Sequence, residues 1–300
     1  DLAIFNGHPF NGYARVELTF VEGEVYFQRS KEWKGNPIAQ AGPAPRLNKL
    51  GMPPRTPEGR YVLVGATVHT GVNVLKNATV VIDRGRITAV RETNPGEKGI
   101  PAAGLHLYPG MIDAGSILGL VEIDSARETR DHAESGDFQP DLRALTAVNP
   151  DSELIPVTRS NGILSVLTRP TGGVIAGQSA VINLAGWTPK DMAVADPLGL
   201  HIELPGGVPG IGRGSPFGMA SRAVLRRQRE AKIKQLREIF GMAVRNPAGN
   251  PRLEALAPYA RGEKPVIVQA SRREEILEAL KLADELKIKI ILSGGIDAWK

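Results

Sequence analysis

Apolar and polar positions divide the chain into β-rich and mixed segments. Ala3-Ile4-Phe5 and the run Val16 to Val21 are strand-like. Glu22-Gly23 turns the second of these into Val25-Tyr26-Phe27, which predicts a hairpin. From 30 to 59 periodicity lapses among Pro37, Pro43, Pro45, Pro53, Pro54 and Pro57, with Gly35, Gly42 and Gly51 between them, the composition of a linker. Tyr61 to Val64, Thr79 to Ile82 and Ile87 to Val90 are rich in β-branched residues and predict strands, the last two joined by the turn Asp83-Arg84-Gly85-Arg86. Leu107 to Ile112 predicts one more strand, ending at Asp113-Ala114-Gly115.

Beyond it the pattern predicts strands alternating with helices. Gly162 to Leu167 and Ala180 to Leu184 read as strands. Residues 219–244 read as a long helix with Val224, Ile233, Leu236, Ile239 and Phe240 along its apolar stripe. The clearest unit is the last. Pro265 to Gln269 is a buried strand, and Ser271-Arg272-Arg273-Glu274 has the form of a capping box. Ile276, Leu280, Ala283 and Leu286 follow at helical spacing, and Ile288 to Leu292 is the returning strand. A strand-helix-strand unit of this kind implies parallel strands and a right-handed crossover.

Composition narrows the function classes. Hydrophobic residues make up 42% and charged residues 23% of 300, an ordinary balance for a globular chain. No apolar run approaches the ~18 residues of a membrane helix, so no membrane span is expected. Cysteine is absent, which excludes disulfides, thiolate metal sites and cysteine nucleophiles. The chain starts at Asp1 with no initiator Met, so the natural protein is expected to begin earlier, and its compartment stays open. The net charge of +5 is concentrated at Arg222, Arg226, Arg227, Arg229, Lys232, Lys234 and Arg237. Without interleaved aromatics these read as a solvated helix face, and no nucleic-acid partner is expected.

Two segments carry more than a generic pattern. Val80-Val81-Ile82-Asp83-Arg84-Gly85-Arg86-Ile87-Thr88-Ala89-Val90, followed by Leu107-Tyr108-Pro109-Gly110-Met111-Ile112-Asp113-Ala114, resembles the entry of the amidohydrolase superfamily, most nearly its imidazolonepropionase-like members. Further support comes from Asp141 to Leu145, Ala147 to Pro150, Gly172 to Ile182 and the final unit through Lys300. The resemblance covers roughly 60–300. It implies an α/β fold in which a small β-sandwich subdomain leads into a (β/α)8 barrel, here incomplete. Residues 1–29 resemble the closing sandwich strands of such a protein, placed ahead of its beginning; an unrelated hairpin is the alternative. The implied organisation is a tandem. Residues 1–29 are the β-sandwich tail of a preceding module, 30–59 a linker, 60–106 the entry strands of the sandwich and 107–300 a truncated barrel. As a flexible coil the linker spans on the order of 30 Å, enough to bring the tail onto the strands at 61–64 and 79–90.

The reaction implied by the resemblance is hydrolysis of carbon–nitrogen, but not peptide, bonds by a metal-bound water. The family uses zinc or another divalent metal, held first by a His-x-His pair at the end of the first barrel strand. Spacing i, i+2 on a strand puts both rings on one face. In this chain the pair falls on Gly115 and Ile117, and the later histidines fall on Gln269 and Gly294. The ligands are therefore missing, and no cofactor is expected for this module. Its pocket candidates are Ser116, Arg169, Gln269 and Ser293 at the strand ends, with His132 in the charged run after the first barrel strand, at the face where such barrels carry their chemistry. That charged run has a plainer reading as a salt-bridged loop or helix. His8, His69, His106 and His201 form no ligand motif and read as surface or packing residues. The glycine-rich run Pro205 to Gly214 lacks a Gly-Lys-Ser/Thr ending and reads as a loop near the barrel mouth. Two functions stay open: a hydrolase acting through an adjacent amidohydrolase module or an atypical site, and a non-catalytic barrel that binds a small molecule or supports that neighbour.

Overall fold

The computed structural model of the chain describes residues 1–9, 14–29, 59–205 and 216–299. The linker at 30–58 and the glycine-rich run at 206–214 lie outside the described residues. The chain divides into two compact units. One comprises Asp1–Ala114, Asn149–Val166 and Ile182–Met192; the other comprises Gly115–Val148, Leu167–Val181 and Ala193–Lys300.

The first unit holds a mostly antiparallel sheet. Its strands are β1 (Leu2–Phe5), β2 (Val16–Val21), β3 (Glu24–Gln28), β4 (Tyr61–His69), β5 (Val74–Asp83), β6 (Arg86–Glu92), β7 (Ile100–Pro101) and β8 (His106–Pro109). They run in the order β3-β2-β1-β8-β4-β5-β6, with β7 beside β4. The amino-terminal hairpin thus joins this sheet, through β1 pairing with β8 in the register Leu2↔Pro109 to Phe5↔His106. The strand pairing is therefore to β8, while the side chains of the hairpin pack on the strands at 61–64 and 79–90 as expected. Leu2, Ile4, Leu18 and Phe20 share one buried cluster with Tyr61, Leu63, Val80 and Leu107. Each such side chain stabilises by roughly 1.5–3 kcal/mol when fully buried.

The predicted strand from Leu107 to Ile112 is in fact two. It leaves the first sheet at Pro109 and enters a second sheet as β9 (Met111–Ser116). Gly110 sits at the break, where a side chain has no room. A Cβ there would lie 2.5 Å from Cδ1 of Leu164.

The second sheet is curled and mixed. After α1 (Leu154–Ser160) come β10 (Ile163–Thr168), β11 (Ile175–Asn183), the short α2 (Pro189–Met192) and β12 (Ala193–Glu203). Then follow α3 (Pro216–Arg245), α4 (Pro251–Ala260), β13 (Val266–Ala270), α5 (Arg273–Leu286) and β14 (Ile290–Gly294). The order is β14-β13-β12-β11-β10-β9. β13 is parallel to both β12 and β14. Backbone bonds link Met111 to Gly162 and Arg169 to Ser116, stepping the same way along β9 and β10. Strand β11 runs against its neighbours: Leu184 bonds Leu164, and Glu203 bonds Val174. The strand-helix alternation expected here holds except between β10 and β11. The chain turns back directly at Gly172-Gly173, both with positive φ, and makes a hairpin where a crossover helix was expected.

Helices α3, α4 and α5 cover one face of β12–β14. Ile233, Leu236 and Phe240 of α3 are buried with Leu256 and Tyr259 of α4 and Ile276, Ala279 and Leu282 of α5. Val224, expected on the same stripe, is 53% exposed. The basic side chains of α3 are partly paired within the chain: Lys232 with Asp137 at 2.8 Å, and Arg237 with Glu285 at 2.8 Å and Glu278 at 3.2 Å. Asn250 caps α4, its side chain accepting from the N–H groups of Arg252 and Leu253. At α5 the capping carboxylate is Glu275, one residue later than expected; it accepts from the N–H groups of Ser271 and Arg272. Ser271 still belongs to the preceding loop, where its carbonyl accepts from Asp297. Among the described residues no helix is long and apolar enough to cross a membrane.

Candidate ligand site at the strand ends

Five strands of the second sheet, β9, β10, β12, β13 and β14, share a direction, so their carboxyl ends lie along one edge. Alternation decides which side chains point away from the helices. On β12, Leu200 and Ile202 enter the helix-covered core, which puts His201 and Glu203 on the opposite face. On β13, Val266 and Val268 enter the core and Gln269 faces away; on β14, Leu292 packs against the core and Ser293 faces away. Glu203, Gln269 and Ser293 are register partners across the three strands.

Ser116 ends β9. Its carbonyl accepts from the N–H of Arg169 at 2.9 Å, and its hydroxyl accepts from the N–H of Leu118 at 3.1 Å. Arg169 follows directly on β10, its side chain 21% exposed, and Nη1 lies 3.7 Å from Oε1 of Glu203. That is an ion pair but too long for a hydrogen bond. Its Nε is buried without a partner among the described residues. The guanidinium also lies against Gly115, where an added Cβ would sit 3.7 Å from Nε. Gly294, at φ +97°, is packed more tightly: a Cβ would come within 2.9 Å of the Gln269 carboxamide nitrogen and 2.6 Å of the Ser271 hydroxyl.

His132 is half-buried, its carbonyl accepting from the N–H of Thr171 at 2.7 Å and its Nδ1 buried without a partner among the described residues. The charged run before it is a loop with one short 3₁₀ helix, Arg127–Thr129. It is held by the Thr129 hydroxyl, which donates to the carbonyls of Ile123 and Ala126, and by the bond from Asp131 to Leu120. Ile117, the second position of the expected histidine pair, is 36% exposed.

His201, which reads from sequence as a surface or packing residue, is a packing residue. It is 4% exposed, and its Nε2 has no partner among the described residues. Burial, together with the nearby Arg169 charge, pushes its pKa down to about 3, so the imidazole is neutral near pH 7. The alternating run Leu200-His201-Ile202-Glu203-Leu204 is the signal that would have placed it beside Glu203. In the first unit, His69 and His106 also prove to be paired rather than isolated, Nε2 to Nδ1 at 3.0 Å, with Tyr108 stacked on His69.

The residues at the expected ligand positions do not fit a divalent metal. Gly115 and Gly294 have no side chain, Ile117 is apolar and Gln269 offers only a neutral amide. A guanidinium beside Gly115 would repel a metal cation. Among the described residues no group of three or more His, Asp or Glu side chains is arranged to hold one.

The mixed α/β fold has a solved counterpart. An amidohydrolase from Thermotoga maritima MSB8 superposes with a TM-score of 0.61 at 24% identity, over 79% of this chain and 65% of that one. The likeness is one of fold, and the chain spans less than two thirds of that protein's length. No protein-family model matches the chain, and no curated protein matches it by sequence.

Proposed function

We propose that the chain is an amidohydrolase-superfamily module of the imidazolonepropionase-like kind that has lost its metal site and serves as a non-catalytic, ligand-binding barrel segment. The observation that carries this reading is the placement of the Arg169 guanidinium beside Gly115, where an added Cβ would lie 3.7 Å from Nε. An organic cation occupies the neighbourhood in which the resemblance puts the first metal ligand. The solved amidohydrolase supports the fold side of the proposal. Hydrolysis of a carbon–nitrogen bond would then belong to an adjacent module of the same protein. Residues 1–29 are its sandwich tail, 30–59 the linker, 60–106 the entry strands and 107–300 the truncated barrel. Elemental analysis after dialysis against zinc- and manganese-containing buffer tests it, together with hydrolysis assays on cyclic amides. The expected result is well under one metal per chain and no turnover. One tightly held metal with turnover would overturn it.

A further inference from the structure

Two buried nitrogens at the strand ends lack partners among the described residues: Nε of Arg169 and Nε2 of His201. Leaving a buried polar nitrogen unsatisfied carries a desolvation cost, and here two occur beside the same ion pair. His201 and Glu203 share the face of β12 that points away from the helices, and Glu203 pairs with Arg169. The sole ion-pair partner of Arg169 among the described residues, Glu203, stands 3.7 Å from Nη1 and leaves Nε unused. Gln269 and Ser293 extend the same row with an amide and a hydroxyl. The Arg169 side chain keeps 21% of its surface open.

We propose that Arg169 and His201 form a binding site for a small monocarboxylate, flanked by Gln269 and Ser293. A planar carboxylate matches the fork of N–H donors on a guanidinium. A neutral imidazole in the Nε2–H tautomer adds a further donor without adding charge. Glu203 sets the charge class. With Arg169 it makes the cluster neutral, so a monoanion is attracted to the guanidinium whereas a dianion meets the Glu203 carboxylate at close range. The incoming carboxylate takes the guanidinium face that Glu203 engages only loosely.

This inference rests on the non-metal reading of the site, and the experiment separates the two. Binding of acetate and of benzoate to the full chain is followed by calorimetry at constant ionic strength, with methylphosphonate at a pH where it is a dianion and chloride as comparisons. Titrations are run with and without EDTA. The wild-type chain is expected to bind the carboxylates and not the comparison anions. Arg169→Gln should weaken binding at least about tenfold, a change of roughly 1.4 kcal/mol. Glu203→Gln should tighten it, an increase that a misfolded variant cannot mimic. Equal binding by wild type and Arg169→Gln, or weakened binding by Glu203→Gln, overturns the site. Carboxylate binding that EDTA abolishes would instead overturn the non-metal reading.

Discussion

The carboxamide of Gln269 occupies the space that a side chain at Gly294 would need: an ideal Cβ there falls 2.9 Å from its nitrogen. Both residues stand where the resemblance expects metal-ligating histidines, and a side chain at Gly294 cannot be added without displacing Gln269 and Ser271. Gly294 also has φ +97°, a conformation that L side chains resist. Gly294→Ala should therefore destabilise by about 1–3 kcal/mol in urea denaturation. Gly71→Ala is the control, since Gly71 shares a positive φ of +86° but has nothing within 4 Å. A Gly294 variant no less stable than the Gly71 variant would mean that the collisions with Ser271 and Gln269 cost nothing.

Much of this arrangement could be read from residues alone, and the reason is periodicity. Unit β13-α5-β14 and helix α3 emerged from apolar spacing because one face of each is buried against a single core. The break at Gly110 did not, because a strand that changes sheets keeps its alternation and only its partners change. The reversal of β11 was hidden for a similar reason: a buried strand reads alike in either direction, and the turn at Gly172-Gly173 can lead into a helix or a strand equally well. Gly115, Ile117, Gln269 and Gly294 are conspicuous in sequence for the chemistry they lack. The Arg169–Glu203 ion pair and the buried state of His201 depend on β10 and β12 being brought to one edge, which no local pattern encodes.

His201 gives the protein a pH dependence of definite sign. Its folded pKa, about 3, lies below the ordinary 6.5, so the unfolded chain takes up a proton that the folded chain refuses. Stability from this group is complete above pH 6.5 and is lost as pH falls toward 3, by about 1.4 kcal/mol per pH unit. His69, also lowered by burial and by His106, acts in the same direction. Urea denaturation at pH 5.5 and 4.5 should show a smaller drop for His201→Gln than for the wild type, by up to about 1.4 kcal/mol. Parallel losses in the two proteins would mean that His201 is not the titrating group.

Gln178 ties β11 to helix α4. Its amide nitrogen donates to the carbonyl of Pro140 at 2.7 Å, and its oxygen accepts from the Tyr259 hydroxyl at 3.2 Å. Gln178 and Tyr259 are both buried. Burial pushes the phenol of Tyr259 up to about 12, so it remains a donor at any working pH. Tyr259→Phe should cost about 1–3 kcal/mol, because the Gln178 oxygen loses a donor. A double-mutant cycle with Gln178→Met should return a coupling energy of at least about 0.5 kcal/mol. Strict additivity would show that the hydroxyl contributes nothing through Gln178.

The amino-terminal hairpin supplies the remaining test. Strand β8 has β4 on one side and β1 on the other, so removing residues 1–58 bares the β8 edge from His106 to Pro109. An open edge offers unpaired N–H and C=O groups to any strand it meets. The same deletion removes Leu2, Ile4, Leu18 and Phe20 from their buried cluster and uncovers Tyr61, Leu63 and Leu107. Losing four apolar side chains at roughly 1.5–3 kcal/mol each is comparable with the whole stability of an ordinary domain. The truncated chain should aggregate on expression or melt many degrees below the parent. Because so large a deletion is a blunt instrument, Phe20→Ala in the full chain provides a graded version. It should cost about 3–5 kcal/mol while leaving the β1–β8 pairing in place. If the truncated chain instead stays as soluble and as thermally stable as the parent, the hairpin neither covers the β8 edge nor contributes to this core.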